Sequence, residues 1–396
     1  MKVPAFVASL LVLFALSFEL ACRIEDRLRY GMPMLSPIRD QDDLVVRDRA
    51  GMHGRPNAQY QRFVLNGLGM RGPEASLTKP ATTVRVATIG ASETFGLYES
   101  DGREYPRQLE GLLQRGITAR CAPRQAMHVE VLNAAIFGMS LPTAEEDLRL
   151  RVAATSPDVI VAYPTPPHYL DDDRPRAARP DSSGRTEAPP LSRRFYPRAS
   201  DRLREQVKAL LPDPVADWLR RRDTERSLRR HGPDWRWTAI PNDRLAAYES
   251  DLRSLVGTIR SLKAVPVLVT HGNAFPPGRP RDASLLARWE RFYPRATGET
   301  IVAFDSAARL VTLRVADDSG VAVVDAQRVM HNRITADGTR LFQEYSHFTD
   351  AGAALMASLV NDAVRSELRT RNMPVCATTP SIVATGAAMP TEGTPR

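Results

Sequence analysis

The chain has 396 residues, 43% hydrophobic and 25% charged, enough for one large globular domain or two small ones. Its formal charge is +8, yet only four of its 54 basic residues are lysines, and the arginines are scattered among Asp and Glu. That texture describes solvated faces, not a phosphate-binding stripe, and argues against a nucleic-acid partner.

At the N-terminus, Lys2 precedes an apolar run from Val3 to Phe18 that Glu19 ends. Sixteen residues is short for a membrane span and long for a signal-peptide core. Cys22 invites a lipoprotein reading, but Glu19-Leu20-Ala21-Cys22 puts an acid where such signals carry an aliphatic residue. Residues 1–22 are read first as an uncleaved anchor with the rest of the chain outside the cytoplasm. A cleaved signal peptide comes second and a buried core helix third. Arg23, Arg27 and Arg29 follow the run, so the positive-inside rule alone would not choose this topology.

Residues 23–80 form an irregular lead-in rich in Arg, Asp, Gly and Pro, including the turn-forming Asn66-Gly67-Leu68-Gly69-Met70-Arg71-Gly72-Pro73-Glu74. A repeating theme then spans 81–372. Strands are predicted over Val84–Ile89, Val129–Leu132, Asp158–Tyr163, Val265–Thr270 and Val321–Asp325. Helices are predicted over Tyr105–Arg115, with Pro106 in its first turn, and over Thr143–Ala154, Asn242–Ser261, Glu299–Ala316 and Asp350–Arg369. Residues 281–294 are a mixed segment.

An insertion at 171–240 breaks the theme, with helices expected from Asp201 to Leu211 and from Val215 to Arg229. It lies where a lid would lie and is expected to set substrate choice. From 373 to 396 the composition predicts a disordered tail. Cys121 precedes a predicted strand and Cys376 follows the last helix, so they are either a disulfide pair or two unrelated thiols.

Five short apolar strands alternating with helices imply an α/β fold. The expectation is a three-layer α/β/α sandwich on a five-stranded parallel sheet, with a helical and loop insertion. Ligand sites in such sheets lie at the carboxyl ends of the strands. Ser92, Gly138, the Pro164–His168 loop, His271 and Asn273 all follow strand ends, so they are aimed at one rim. A serine hydroxyl becomes a nucleophile when a base takes its proton, and histidine suits that role near neutral pH. His347, with Glu344 three residues before it, is the candidate base and orienting acid. The amides of Ser92 and Gly138 are candidate oxyanion donors. His168, His271 and Asn273 are possible substrate contacts. Asp350 reads as a helix N-terminal acid, Asp325 as a structural acceptor, and Trp235 and Trp237 as packing residues. No Cys/His cluster has metal-ligand spacing and no Gly-rich phosphate loop is present, so neither metal nor cofactor is expected.

Three blocks resemble the SGNH/GDSL hydrolase superfamily, in its bacterial membrane-anchored form. Gly90-Ala91-Ser92 resembles the first block, where Gly-Asp-Ser is more usual, and Asn133-Ala134-Ala135-Ile136-Phe137-Gly138 resembles the second. Glu344-x-x-His347-Phe348-Thr349-x-x-Gly352 resembles the last, usually Asp-x-x-His. The segment Asn66 to Glu74 resembles one that such anchored proteins carry before the first strand. Thr94 stands two residues after the serine, so this is not the α/β-hydrolase elbow.

The resemblance implies a flavodoxin-like fold and an ester hydrolase with Ser92, His347 and Glu344 as triad. It also implies an inner-membrane anchor with a periplasmic or extracellular domain, acting on a small-molecule or polysaccharide acyl ester. The third block departs: Pro167 takes the place of the oxyanion asparagine and has no N–H to offer. His168, Thr165 or Asn273 would have to replace that donor. An O-acyltransferase or deacetylase acting on exported polysaccharide, and a non-catalytic carbohydrate-binding protein, are the rival functions.

Overall fold

In the computed structural model, residues 3–48, 51–121, 126–171, 197–373 and 375–376 are described. In chain order, α1 (Val3–Tyr30) leads to two antiparallel hairpins, β1 (Val45–Asp48) with β2 (Gly51–Gly54) and β3 (Gln59–Tyr60) with β4 (Phe63–Val64). The first half of the α/β unit follows as β5 (Thr83–Gly90), α2 (Ser92–Phe95), α3 (Tyr105–Thr118), β6 (His128–Asn133), α4 (Leu141–Leu150) and β7 (Val159–Tyr163). After α5 (Arg198–Ala209) and α6 (Asp213–His231), the second half is α7 (Asn242–Ser261), β8 (Val265–Val269), α8 (Ala283–Phe292) and α9 (Gly298–Ser319). It closes with β9 (Ala322–Val324), α10 (Ala326–Asp337) and α11 (Asp350–Thr370).

The central sheet is parallel throughout, in the order β6-β5-β7-β8-β9. β7 and β8 are almost wholly apolar and buried, as expected of central strands covered on both faces. Successive side chains go to opposite faces. Val84 and Val86 join the core formed with α3 and α11, whereas Ala87 and Ile89 join the core formed with α4, α7 and α9. In β7 the same alternation sends Val159, Val161 and Tyr163 one way and Ile160 and Ala162 the other. The result is a three-layer α/β/α sandwich.

Four features differ from the sequence expectation. The lead-in is not wholly irregular: its two hairpins rest on two to four residues per strand, too short to show as periodicity. The N-terminal helix runs past the expected anchor bound at Cys22, through the start of the lead-in, to Tyr30. Its continuation buries Glu19, Cys22, Arg23 and Asp26, and Asp26 is paired with Arg202 at 2.6 Å from α5. A helix, α10, fills the stretch between β9 and α11, where none was expected. The mixed segment contains α8, capped by the Asp282 carboxylate accepting from the Ser284 and Leu285 amides.

Cys121 and Cys376 form a disulfide with a Cα–Cα distance of 5.5 Å, pinning the end of the described chain beside α3. Residues 172–196 of the insertion and 377–396 of the expected tail lie outside the described residues. Among the described residues one helix, α1, is long and apolar enough to cross a membrane, and Phe6 to Phe18 contribute exposed large apolar side chains.

Candidate active site

β5 ends at Gly90, where the chain turns at once into the short helix α2. A Cβ at Gly90 would meet Thr94 Oγ1 at 2.4 Å and the Tyr163 carbonyl at 2.6 Å, so only glycine fits beneath this turn. Ser92 is the first residue of α2.

The turn is buttressed from two directions. Asn133, at the end of β6, donates its side-chain amide to the Thr94 carbonyl at 3.1 Å and accepts the Arg71 amide on its own carbonyl at 3.0 Å. Arg71, buried over the rings of Phe63 and Phe95, donates to the Phe95 carbonyl at 2.7 Å and also to that of Gly96. The Asn66 carboxamide accepts from the Leu68 and Met70 amides, both at 3.0 Å, and thereby shapes the loop that delivers Arg71. The glycine-rich motif of the lead-in is thus a support for the serine turn.

His347 arrives from the other end of the sequence, in the loop between α10 and α11. That loop is closed by the Gln343 amide donating to the His347 carbonyl at 2.7 Å and the Thr349 amide to Leu341 at 3.0 Å. His347 Nε2 lies 2.8 Å from Ser92 Oγ, and its Nδ1 is bonded to Glu344. An ionised carboxylate can only accept, so it fixes the imidazole proton on Nδ1 and leaves the Nε2 lone pair facing the serine hydroxyl. Burial pushes the His347 pKa down, but the Glu344 bond and the charges of Glu93, Glu344 and Glu99 outweigh it and leave the imidazole more basic than usual.

Gly138, in the loop after β6, lines the same cavity as Ser92. Its φ of +73° requires glycine, although the space around it does not. The cavity has a volume of about 930 Å³. One wall is aromatic, from Trp289 and Phe292 on α8 with Tyr293, Tyr345 and Tyr98. The lead-in also contributes to the lining, with Gln41, Asp42, Arg47, Met52 and Arg55. Among the described residues of the insertion, none lines this cavity. The first hairpin and α8 contribute to its lining, and residues 172–196, part of the segment expected to set substrate choice, lie outside the described residues.

The remaining expected residues divide. Thr165 and His168 line the cavity from the loop after β7, where Pro167 is buried in a 3₁₀ turn. His271 and Asn273 do not reach it. They are 2% and 0% exposed and are committed to Asp305 of α9, His271 Nδ1 at 2.8 Å and Asn273 Nδ2 at 2.6 Å. Trp235 and Trp237 are partly buried and also lie outside the cavity. Asp325 accepts from Arg309 and Arg328, and Asp350 accepts the Ser100 amide at 2.8 Å.

Sequence reasoning passed over Glu93. This carboxylate is 3% exposed, accepts from the Ser346 hydroxyl at 2.9 Å and the Thr165 hydroxyl at 3.2 Å, and faces His271 Nε2 at 3.6 Å. The available signal was an acid placed inside an otherwise apolar and small-residue stretch. Among the described residues no group of three or more His, Cys, Asp or Glu side chains is arranged to hold a metal ion.

No protein family model and no curated protein matches the sequence. Solved structures with a similar course include LAE5, an alpha/beta hydrolase enzyme from the metagenome of Lake Arreo, Spain, at 15% identity, covering 71% of this chain and 95% of that one with a TM-score of 0.42. Axe2, an acetylxylan esterase from Geobacillus stearothermophilus, matches at 16% identity, 71% and 93% coverage and a TM-score of 0.39. A lipase/acylhydrolase from Enterococcus faecalis matches at 17% identity, 72% and 96% coverage and a TM-score of 0.39. These likenesses are distant; the sandwich assignment stands on the strand order and pairing of this chain itself.

Proposed function

We propose that the protein is a serine hydrolase of the SGNH type that cleaves a carboxylic ester through an acyl-Ser92 intermediate. The observation that carries this reading is the 2.8 Å contact between Ser92 Oγ and His347 Nε2, with Glu344 on the far nitrogen. In the first step Ser92 Oγ bonds to the ester carbonyl carbon while its proton passes to His347 Nε2. The carbonyl π pair moves to oxygen, and the amides of Ser92 and Gly138 are the proposed donors to that oxyanion; one such donor is worth ~3–4 kcal/mol of barrier. Collapse breaks the bond to the leaving alkoxide, which takes the proton from His347. Water then repeats the sequence on the acyl-serine, releasing the acid and restoring the hydroxyl.

Glu344 holds the imidazole in the productive tautomer and stabilises the imidazolium. The roomy, partly aromatic cavity suits a bulky alcohol portion, such as a sugar, carrying a small acyl group. We further propose that α1 anchors the chain in a membrane with the hydrolase domain outside the cytoplasm. The exposed apolar side chains of Phe6 to Phe18 and the Cys121–Cys376 disulfide, a bond that persists in oxidising compartments, both support that placement.

A fluorophosphonate probe tests the chemistry. Wild-type protein is expected to be labelled at Ser92 and the Ser92→Ala variant is not. Equal, background labelling of both overturns the hydrolase reading.

A further inference from the structure

Behind the Ser92–His347 pair lies a second charged cluster that the hydrolytic steps above do not use. Its members are Glu93, His271 and Asp305, at most 3% exposed. Asp305 is fully satisfied: one oxygen accepts from His271 Nδ1 at 2.8 Å, the other from Asn273 at 2.6 Å and Gln327 at 3.0 Å. His271 also stacks on Tyr163, with ring centroids 5.6 Å apart, so its ring cannot turn freely. Its Nε2 faces Glu93 Oε1 at 3.6 Å, with no hydrogen-bond partner among the described residues.

Burying two carboxylates around one imidazole is costly, and a well-packed apolar trio is often as stable or more so. Packing alone therefore does not account for them. The distribution of bonds on Glu93 points elsewhere. Oε1 receives the hydroxyl of Ser346, the residue before His347. Oε2 receives the hydroxyl of Thr165, on the loop that lines the cavity, and lies 3.4 Å from Ser92 Oγ. Glu93 itself follows Ser92 in the chain. One carboxylate therefore ties together the serine turn, the histidine loop and the loop after β7 that lines the cavity.

We propose that Glu93, held in place by His271 and Asp305, is a positioning residue of this reaction: through Ser346 it sets the His347 ring over Ser92, and its negative charge joins that of Glu344 in stabilising the imidazolium. The proposal rests on the hydrolase reading above. Its electrostatics agree. Burial alone would raise the Glu93 pKa, yet His271 and His347 hold it well below the usual carboxylate range, and His271 is pushed up to about 10 by Asp305 and Glu93 against its own burial. The groups that face His347 are Glu344, Tyr345 and Ser346 from its own loop, and Ser92, Glu93, Tyr98 and Glu99 from the serine segment. His168 lines the same cavity.

The test is the pH dependence of the fluorophosphonate labelling rate, with an NMR titration of the His347 imidazole alongside, in wild type, Glu93→Gln and Ser346→Ala. Glu93→Gln is expected to slow labelling roughly tenfold to a hundredfold and to move the acid limb, and the His347 pKa, down by roughly one unit, because an anion beside the imidazolium is gone. Ser346→Ala keeps the charge and loses the tether, so it is expected to slow labelling by a similar factor with the limb unmoved. Wild-type rate and limb in both variants overturn the proposal.

If Glu93→Gln fails to fold, Ser346→Ala decides the positioning role, and a wild-type rate there overturns it. If wild-type protein is not labelled at all, the hydrolase reading has failed instead. The imidazole titration then still reads the Glu93 charge, and an unchanged His347 pKa in Glu93→Gln counts against the proposal on its own.

Discussion

The guanidinium of Arg71 donates to the Phe95 carbonyl across 2.7 Å, joining the lead-in to the turn that presents Ser92. Arg71 also bonds the Gly96 carbonyl and approaches Glu104 at 3.7 Å, all in the interior. Replacing it with alanine would leave two carbonyls and a buried carboxylate without their cation. Arg71→Ala is expected to cost on the order of 3 kcal/mol of stability and to slow labelling of Ser92. Chemical denaturation with probe kinetics checks both; wild-type stability would show that the lead-in is dispensable to the turn.

Glu344 is expected to matter through the tautomer it imposes. In Glu344→Gln the new amide can donate to His347 Nδ1, which would put the imidazole proton on Nε2, facing Ser92 rather than receiving from it. Labelling and ester turnover are expected to fall about 100-fold or more, with the fold intact by circular dichroism. Glu344→Asp, which keeps the charge, is expected to lose less. Equal rates for the Gln and Asp variants would remove Glu344 from its assigned role.

Glu99 predicts a pH dependence of stability. It is 1% exposed, and burial pushes its carboxyl up to about 7, against the pull of nearby backbone amides, Arg71 and His347. The folded-state value lies above the unfolded value of roughly 4.3, so the folded chain holds this proton more tightly. The associated stability is fully present below the unfolded value and is lost as pH rises through about 7. Glu99→Gln abolishes that loss, so its stability relative to wild type is expected to improve by on the order of 2–3 kcal/mol between pH 4 and pH 8. Urea denaturation of both proteins across that range measures it, and parallel pH profiles would contradict it.

The disulfide makes a prediction separable from the chemistry. Neither Cys121 nor Cys376 lines the active-site cavity, and their bond fixes the chain end after α11. Reduction, or Cys376→Ser, is expected to lower stability by about 2–4 kcal/mol with little change in labelling rate. Thermal melts with and without reductant, and non-reducing peptide mapping for the bond itself, provide the check.

The sandwich was legible because four of its five strands span five to eight residues and carry Val or Ile, with helices of clear ends between them. The Ser92 and His347 segments were legible because small residues and glycines bracket them. The short hairpins of the lead-in were not, since two paired residues leave no periodicity. α10 was hidden because its sequence is polar and weakly patterned, with only Ala326, Gln327, Met330 and His331 buried.

By itself, then, the sequence determined the five strands of the parallel sheet, most of the helices that flank them and which serine and histidine stand at its rim, because local patterning and strand-end glycines are written residue by residue. What only the tertiary structure decided was depth. His271 and Asn273 follow a strand end as Ser92 does, yet they sink into the core on Asp305, while Glu93 turns inward to bind three loops at once. The residues that wall the cavity came from the lead-in and α8 rather than from the described part of the insertion. The physical reason is that burial and pairing depend on partners up to about 250 positions away in the chain, such as Ser346 for Glu93, and a linear pattern carries no distance between such segments.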